Sequence, residues 1–249
     1  MNIIKPLRII IKVFTILVWT LLIHNLMVDI PRIFTKKRRF PKVIYIWGSG
    51  LAWIMGIKIH RKNELPLPMG EVIISNHLGF MDVPVMSSIF PAVYMIKAEA
   101  KKVFYFGGAL SRQGHFFVDR EDGTSLRKAA TNLLKFSNDF CRIIIFPEGK
   151  ASPNAERLPF KAGAFAMAKK LDRTVQAVVI DYLPNRQVHK WDTNKKGMSQ
   201  LIELLGKRRI DISVEFFPAE KITIDPKEYA VIWHDKIENR LKENDKKND

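Results

Sequence analysis

The chain is poor in the residues that would mark several common chemistries. It has one cysteine in 249 residues, Cys141. An internal disulfide is therefore excluded, which suits the cytosolic side of a membrane without requiring it. The six histidines are scattered, no Cys/His cluster has metal-ligand spacing, and neither a metal nor a cofactor is expected. There is no G-x-S-x-G elbow, and Cys141 falls on a predicted buried strand. No serine or cysteine nucleophile is signalled, which weighs against hydrolysis through a covalent intermediate. Internal repeats and low-complexity linkers are also missing. What remains is 47% hydrophobic and 27% charged residues, an ordinary folded composition. The length fits one large domain with an appendage, divided here as residues 1–62 and 63–249.

Acidic residues are scarce at one end. Residues 1–62 hold 12 Lys/Arg and a single acid, Asp29, so about two-thirds of the net charge of +16 lies in the first quarter. A basic protein first points to nucleic acid. This quarter is also the most apolar, however, and basic groups flanking apolar runs point to anionic lipid headgroups. "VFTILVWTLLIHNLMV" (13–28) and "VIYIWGSGLAWIMGI" (43–57) are 16 and 15 residues long. As helices they reach about 24 Å at 1.5 Å per residue, short of a hydrocarbon core of about 30 Å. Two crossings would also put the basic loop of residues 32–42 opposite Lys5, Arg8 and Lys12, against the positive-inside tendency. The expectation is a pair of helices sunk into the cytoplasmic leaflet. A single crossing by the first run, or two buried core helices, are the alternatives. A cleaved signal peptide fits less well, because "HNLMVDIPR" offers no small-residue cleavage site.

From residue 71 strand and helix patterns alternate. Strands are expected at "EVIIS", "AVYMIK", "HFFVD", "CRIIIF", "TVQAVVIDYL" and "RIDISVEFF". Helices are expected at "MDVPVMSSIF", "AEAKKVFYF", "DGTSLRKAATNLLKF", "FKAGAFAMAKKL" and Pro226 to Lys242, followed by a frayed charged tail. The turn-rich "PEGKASPNAERLP" reads as a loop. This is an α/β fold: a central mixed sheet flanked by helices, preceded by the two-helix membrane-associating segment. His77, Arg120 and Glu148 each follow a strand closely, and the carboxyl edge of an open α/β sheet is where ligands bind.

"SNHLGFMDVP" (75–84) sets a histidine and an aspartate five residues apart. From composition, roughly 0.3 such pairs are expected by chance, and a second occurs at His24 and Asp29. The second pair belongs to the apolar N-terminal run and reads as the coincidence. His77 instead leaves a strand on a loop containing Gly79, and Asp82 opens the next helix. Across that turn Asp82 can reach one imidazole nitrogen, fix the tautomer and leave the other nitrogen as a general base. Taken alone, Asp82 is an N-cap, Asn76 a turn residue that orients the loop, and Arg120 a surface ion-pair partner of Glu121 or Asp122. A His–Asp pair without its own nucleophile suits activation of a substrate hydroxyl.

"NHLGFMD" (76–82), "GHFFVDR" (114–120), "FPEGK" (146–150) and "FKAG" (160–163) together resemble the successive motifs of the glycerolipid acyltransferase family, most nearly its bacterial 1-acylglycerol-3-phosphate acyltransferases. The resemblance covers roughly residues 70–185. It implies transfer of a fatty acyl group, from acyl-CoA or acyl-carrier protein, to the hydroxyl of a lysolipid at a membrane; the charge distribution separately favours an anionic membrane surface over nucleic acid. It also implies a location on the cytoplasmic face of a bacterial inner membrane. Carried over, His77 is the general base and Asp82 its partner. Arg120, assisted by Lys97, binds the acceptor phosphate through its guanidinium fork. Glu148 holds acceptor hydroxyls or braces the site, and Gly149 permits close backbone approach. Asn76 stands with the substrate contacts.

The sequence departs from the family pattern twice. The third motif usually continues with threonine and arginine, and here reads "GKAS". Lys150, Arg157 or Lys161 then stands in for the arginine, without its bidentate geometry. The fourth motif normally holds a proline, which "VQAVVIDY" lacks. Both bear on the acceptor headgroup, leaving another lysophospholipid or an acylated amino-acid lipid as alternatives. A non-catalytic lipid-binding protein is the reading from a different class.

Overall fold

The computed structural model describes residues 4–34, 41–63, 72–102, 106–118, 142–152, 158–184, 192, 194–195 and 197–248. Among these described residues seven strands form one sheet: β1 (Ile57–Lys62), β2 (Val72–Ser75), β3 (Ala92–Lys97), β4 (Phe116–Val118), β5 (Arg142–Ile145), β6 (Val175–Leu183) and β7 (Ile210–Phe216). Their spatial order is β1-β7-β6-β2-β5-β3-β4. All neighbours are parallel except β6 and β7, which are antiparallel. The sheet is thus mixed, as expected.

Strands β2 and β5 are buried along their whole length, which is why they read as unbroken apolar runs: parallel strands are covered on both faces. Alternate residues feed two cores. Val72 and Ile74 pack with Phe165 of α6 (Gly163–Lys170) and with Trp233 and Leu241 of α8 (Pro226–Asn248). Ile73 faces the other way, toward Met86 of α4 (Asp82–Ile89), Leu205 of α7 (Gly197–Gly206) and Ile44 of α3 (Pro41–Met55). Burying such side chains contributes about 1.5–3 kcal/mol each.

Several elements differ from the sequence expectations. Strand β1 lies before the 62/63 boundary, so the sheet begins inside the N-terminal segment. Its "IKIHRK" is polar because this edge strand is only partly covered, and that hid it. Helix α7 was not expected either. The C-terminal helix continues to Asn248 rather than fraying after Lys242. "AEAKKVFYF" supplies a short 3-10 turn (Ala98–Lys102), and α5 runs over Phe106–Gln113. The helix expected at "DGTSLRKAATNLLKF" lies outside the described residues, as do Arg120, Cys141 and Arg157.

The N-terminal helix is longer than its charge-free run. It extends over Ile4–Asp29, 26 residues, as α1 (Ile4–His24) and a π-turn (Asn25–Asp29), and then runs on into α2 (Ile30–Phe34). By length and composition alone it can cross a membrane, and it is longer than the charge-free run because Lys5, Arg8 and Lys12 lie within the helix and do not bound it. Arg8 and Lys12 turn toward the body. Arg8 Nη1 donates to Gly206 O at 2.8 Å, and Lys12 Nζ to Met55 O and Lys207 O at 2.7 and 2.8 Å. Cations there complement the negative ends of α3 and α7. Midway, Trp19 Nε1 donates to Trp47 O and Trp47 Nε1 to Thr20 Oγ1. At the far end Arg112 of α5 lies 3.0 Å from Asp29. Helix α3 then packs on α4 through Gly48, where a Cβ would fall 2.3 Å from Ser87 Cβ; any larger residue would force the helices apart.

Candidate active site

The carboxyl ends of β2, β5 and β3 lie side by side and deliver His77, Glu148 and Lys97 to one rim; His77 and Glu148 were expected there from their strand ends, and Arg120, the third, lies outside the described residues. His77 Nδ1 donates to Asp82 Oδ2 at 2.7 Å. Asp82 is completely buried. The same oxygen accepts the main-chain N–H groups of Leu78 (2.6 Å) and Gly79 (2.9 Å), and Oδ1 accepts Tyr182 Oη–H at 2.5 Å. Asp82 is the first residue of α4, yet it satisfies the loop before the helix and does not cap the helix itself. The loop is thereby wound around the carboxylate, and imidazole Nε2 is the nitrogen left for a substrate. The ring stacks on Phe146, centroids 4.2 Å apart at 19°.

Glu148 braces this arrangement. Oε1 accepts the His77 main-chain N–H at 3.0 Å, and Oε2 accepts the Ser152 hydroxyl. Ser152 N donates in turn to His77 O at 2.7 Å. Burial pushes the Glu148 carboxyl up to about 7, although the bonds from Ser152 and His77 pull it the other way. Both oxygens are thus engaged within the protein, and the bracing role is the one the geometry supports. Asn76 departs from its expected place among the substrate contacts. It is buried, its amide N–H donates to Ile180 O (2.9 Å) and its Oδ1 accepts Ile180 N–H (2.8 Å), so its polar atoms face β6. Gly149, at φ +87°, turns the loop where an L side chain would be strained. Lys161 is exposed, and its main-chain N–H holds Pro147 O at 3.0 Å.

A cavity of about 420 Å3 opens beside His77. Gly149, Lys150 and Lys97 stand at its polar part; Ile44, Trp47, Val83, Met95, Ile96 and Leu110 make much of the remaining wall. At about 30 Å3 per water-sized group, it holds on the order of fourteen such groups, the scale of a long alkyl chain. Lys97 is half-exposed and paired with Glu99 at 2.7 Å. His115, on the same wall, is pushed down to about 3 by burial and is neutral. Its Nδ1 accepts Tyr94 N–H, so its proton sits on Nε2, toward Gln113 Oε1. The N-terminal helices contribute Thr20 and His24. Among the described residues, His234, Asp235 and Glu238 on α8 form a grouping of metal-ligand type, but none of them lines the cavity.

Sequence reasoning missed Phe146, Ser152 and Tyr182. Phe146 and Ser152 flank "PEGKA", so the motif's neighbourhood was the available signal. Tyr182 shares a strand face with Ile180 by simple alternation, which gives its side of the sheet but not its partner.

Residues 56–181, just over half of the chain, match the Acyltransferase family; the chain belongs to that family. A 1-acyl-sn-glycerol-3-phosphate acyltransferase of Neisseria gonorrhoeae is 24% identical over 213 residues, 83% of this chain and 81% of that protein. One from Helicobacter pylori is 30% identical over 117 residues, and that match spans 44% of this chain and only about half, 48%, of the relative. A lyso-ornithine lipid O-acyltransferase of Rhizobium meliloti is 24% identical over 186 residues, 68% of this chain and 64% of that protein. In fold, the chain is similar to the crystal structure of the 1-acyl-sn-glycerophosphate acyltransferase PlsC from Thermotoga maritima. That likeness has a TM-score of 0.62 at 16% identity and covers 95% of this chain and 97% of that one.

Proposed function

We propose that this protein transfers a fatty acyl group from an acyl thioester to the free hydroxyl of lysophosphatidate, giving phosphatidate, with His77 as general base. The observation that carries the reading is the His77–Asp82 bond of 2.7 Å beside a cavity of alkyl-chain dimensions. Imidazole Nε2 takes the acceptor hydroxyl's proton as that oxygen attacks the thioester carbonyl carbon. The tetrahedral intermediate collapses with cleavage of the carbon–sulfur bond, and the departing thiolate takes the proton from the imidazolium. Buried Asp82 holds the ring and stabilises its cationic form. Lys97 and Lys150 at the rim supply positive charge for the acceptor phosphate, beside the expected contribution of Arg120. Acyl-CoA and acyl-carrier protein both satisfy the thioester requirement.

The N-terminal helices support association with one leaflet of an anionic membrane, on the cytoplasmic face. Phe14, Ile33, Phe34 and Trp53 are 67%, 76%, 82% and 81% exposed, while Arg8, Lys12 and Arg112 tie the same segment to the body near both ends. A helix held along its length by one globular body lies on that body, with its apolar face available to lipid.

A second acceptor class, a lysolipid built on an acylated amino acid, is favoured by "GKAS" at 149–152 and by the likeness to the lyso-ornithine lipid enzyme. The test is purified protein in detergent, given an acyl thioester and, in parallel, lysophosphatidate, other lysophospholipids and a lyso-ornithine lipid. Preferential consumption of lysophosphatidate is the expected result. Preference for another lysolipid assigns the headgroup to the second class, and no transfer to any acceptor removes the reading.

A further inference from the structure

The catalytic pair is held from a strand that carries none of its members. Tyr182 lies on β6, is 1% exposed, and its hydroxyl donates to Asp82 Oδ1 at 2.5 Å across a sequence separation of 100 residues. Asp82 is a carboxylate and can only accept, so the tyrosine's own proton is committed to it. Two residues earlier on the same strand, Ile180 exchanges both main-chain hydrogen bonds with Asn76, the residue before His77. Strand β6 thus grips the loop at Asn76 and the carboxylate at Asp82, one point on each side of the imidazole.

The four donors on Asp82 are divided three to one. His77, Leu78 and Gly79 all use Oδ2, and Tyr182 uses Oδ1. The three inner bonds come from the loop and move with it. The outer bond comes from the sheet. It prevents the carboxylate from rotating about its Cβ–Cγ bond and draws negative charge toward Oδ1, away from the imidazole. We propose that Tyr182 is a positioning residue of the active site, orienting Asp82 and setting how strongly that carboxylate holds the His77 imidazolium. The kinetic part of this proposal rests on the acyltransferase reading; the titration part does not.

The sign follows from the donor's direction. A hydrogen bond donated to a carboxylate spreads its charge. Without it the charge concentrates on the inner oxygen, the imidazolium is held more tightly, and His77 loses its proton at higher pH. Among the described residues, the other titratable or charged groups around the ring are Asp82 and Glu148. His24, Tyr94, Lys97, His115 and Lys150 line the same cavity. Replacing Tyr182 by Phe removes only the hydroxyl and leaves all of these in place.

The experiment follows the His77 ring by NMR in full-length protein in detergent, alongside the pH dependence of acyl transfer. In Tyr182→Phe the titration midpoint of His77 is expected to rise, the ascending limb of kcat to move with it, and kcat to fall about tenfold with KM unchanged. Site-specific 3-fluorotyrosine at 182, a stronger donor, is expected to shift the midpoint the opposite way. It decides the matter by itself where the Phe variant does not fold. Midpoints equal to that of the unmodified protein, or moving in the same direction for both substitutions, overturn the proposal and leave Tyr182 as core packing. If the unmodified protein transfers no acyl group, the acyltransferase reading fails, while the NMR titration still tests the tyrosine.

Discussion

The molecule contains the same His-x4-Asp spacing twice and makes different things of it. At His77–Asp82 the chain leaves a strand, turns through a loop and starts a helix. The aspartate folds back, is fully buried and meets Nδ1 at 2.7 Å. At His24–Asp29 the chain stays helical through the π-turn. The carboxylate stands 3.4 Å from Nε2, is 37% exposed and shares its charge with Arg112. Arg112 in turn donates to His24 Nε2 at 3.1 Å from Nε and 2.9 Å from Nη2. A nitrogen that accepts a guanidinium N–H is poorly placed to take a proton from a substrate. Five residues of separation therefore specify nothing by themselves. The loop decides, because it lets one oxygen collect the imidazole and two main-chain N–H groups together.

Matched substitutions test the contrast most directly. Asp82→Asn is expected to lower kcat by about 10²–10⁴, since the amide cannot stabilise the imidazolium. Asp29→Asn is expected to leave kcat within about twofold. Equal losses in steady-state assays of the two variants would show that the N-terminal pair also takes part in the chemistry.

Glu148→Gln gives the next largest effect, on stability. The folded carboxyl titrates near 7 because of burial, against an ordinary value of 4.5. The wild type therefore loses stability as pH rises from about 4.5 to 7, by about 3 kcal/mol at most, at 1.36 kcal/mol per unit. The neutral amide does not titrate. Urea unfolding at pH 5 and pH 8 is expected to show the variant gaining on the wild type at the higher pH, and a gap independent of pH contradicts the assignment. The smallest effect belongs to the other end of the comparison. Arg112→Met removes a half-exposed ion pair together with the hydrogen bonds to buried His24 Nε2, and denaturant midpoints are expected to show a loss of about 1–2 kcal/mol.

Much of this was legible in the sequence. Val72 to Ser75 and Arg142 to Ile145 announce buried parallel strands by unbroken hydrophobicity. His77 and Glu148 meet at their strand ends, and Asp82 reaches back across the loop from the start of α4. What escaped was long-range or two-sided. Tyr182 reaches Asp82 over 100 residues, and no local pattern encodes such a pairing. Asn76 looked like a ligand contact because its polarity is visible in the sequence, while its partner Ile180 is not. Strand β1 was hidden because an edge strand needs little apolar surface. Arg8 and Lys12 read as flanks of a membrane run. Their actual use, on the carbonyls ending α3 and preceding β7, depends on elements 43 to 198 residues away.

The docking of α1 along the body bears on how the protein can be handled. Its Ile9 and Ile16 pack against the same core as Phe90 and Leu205, and its Thr20 and His24 form part of the cavity wall. Trimming the chain to a detergent-free catalytic fragment would therefore strip a side from the substrate chamber and bare the core beneath it. A better route to a soluble preparation keeps the helix and replaces outward-facing side chains such as Phe14 and Leu17.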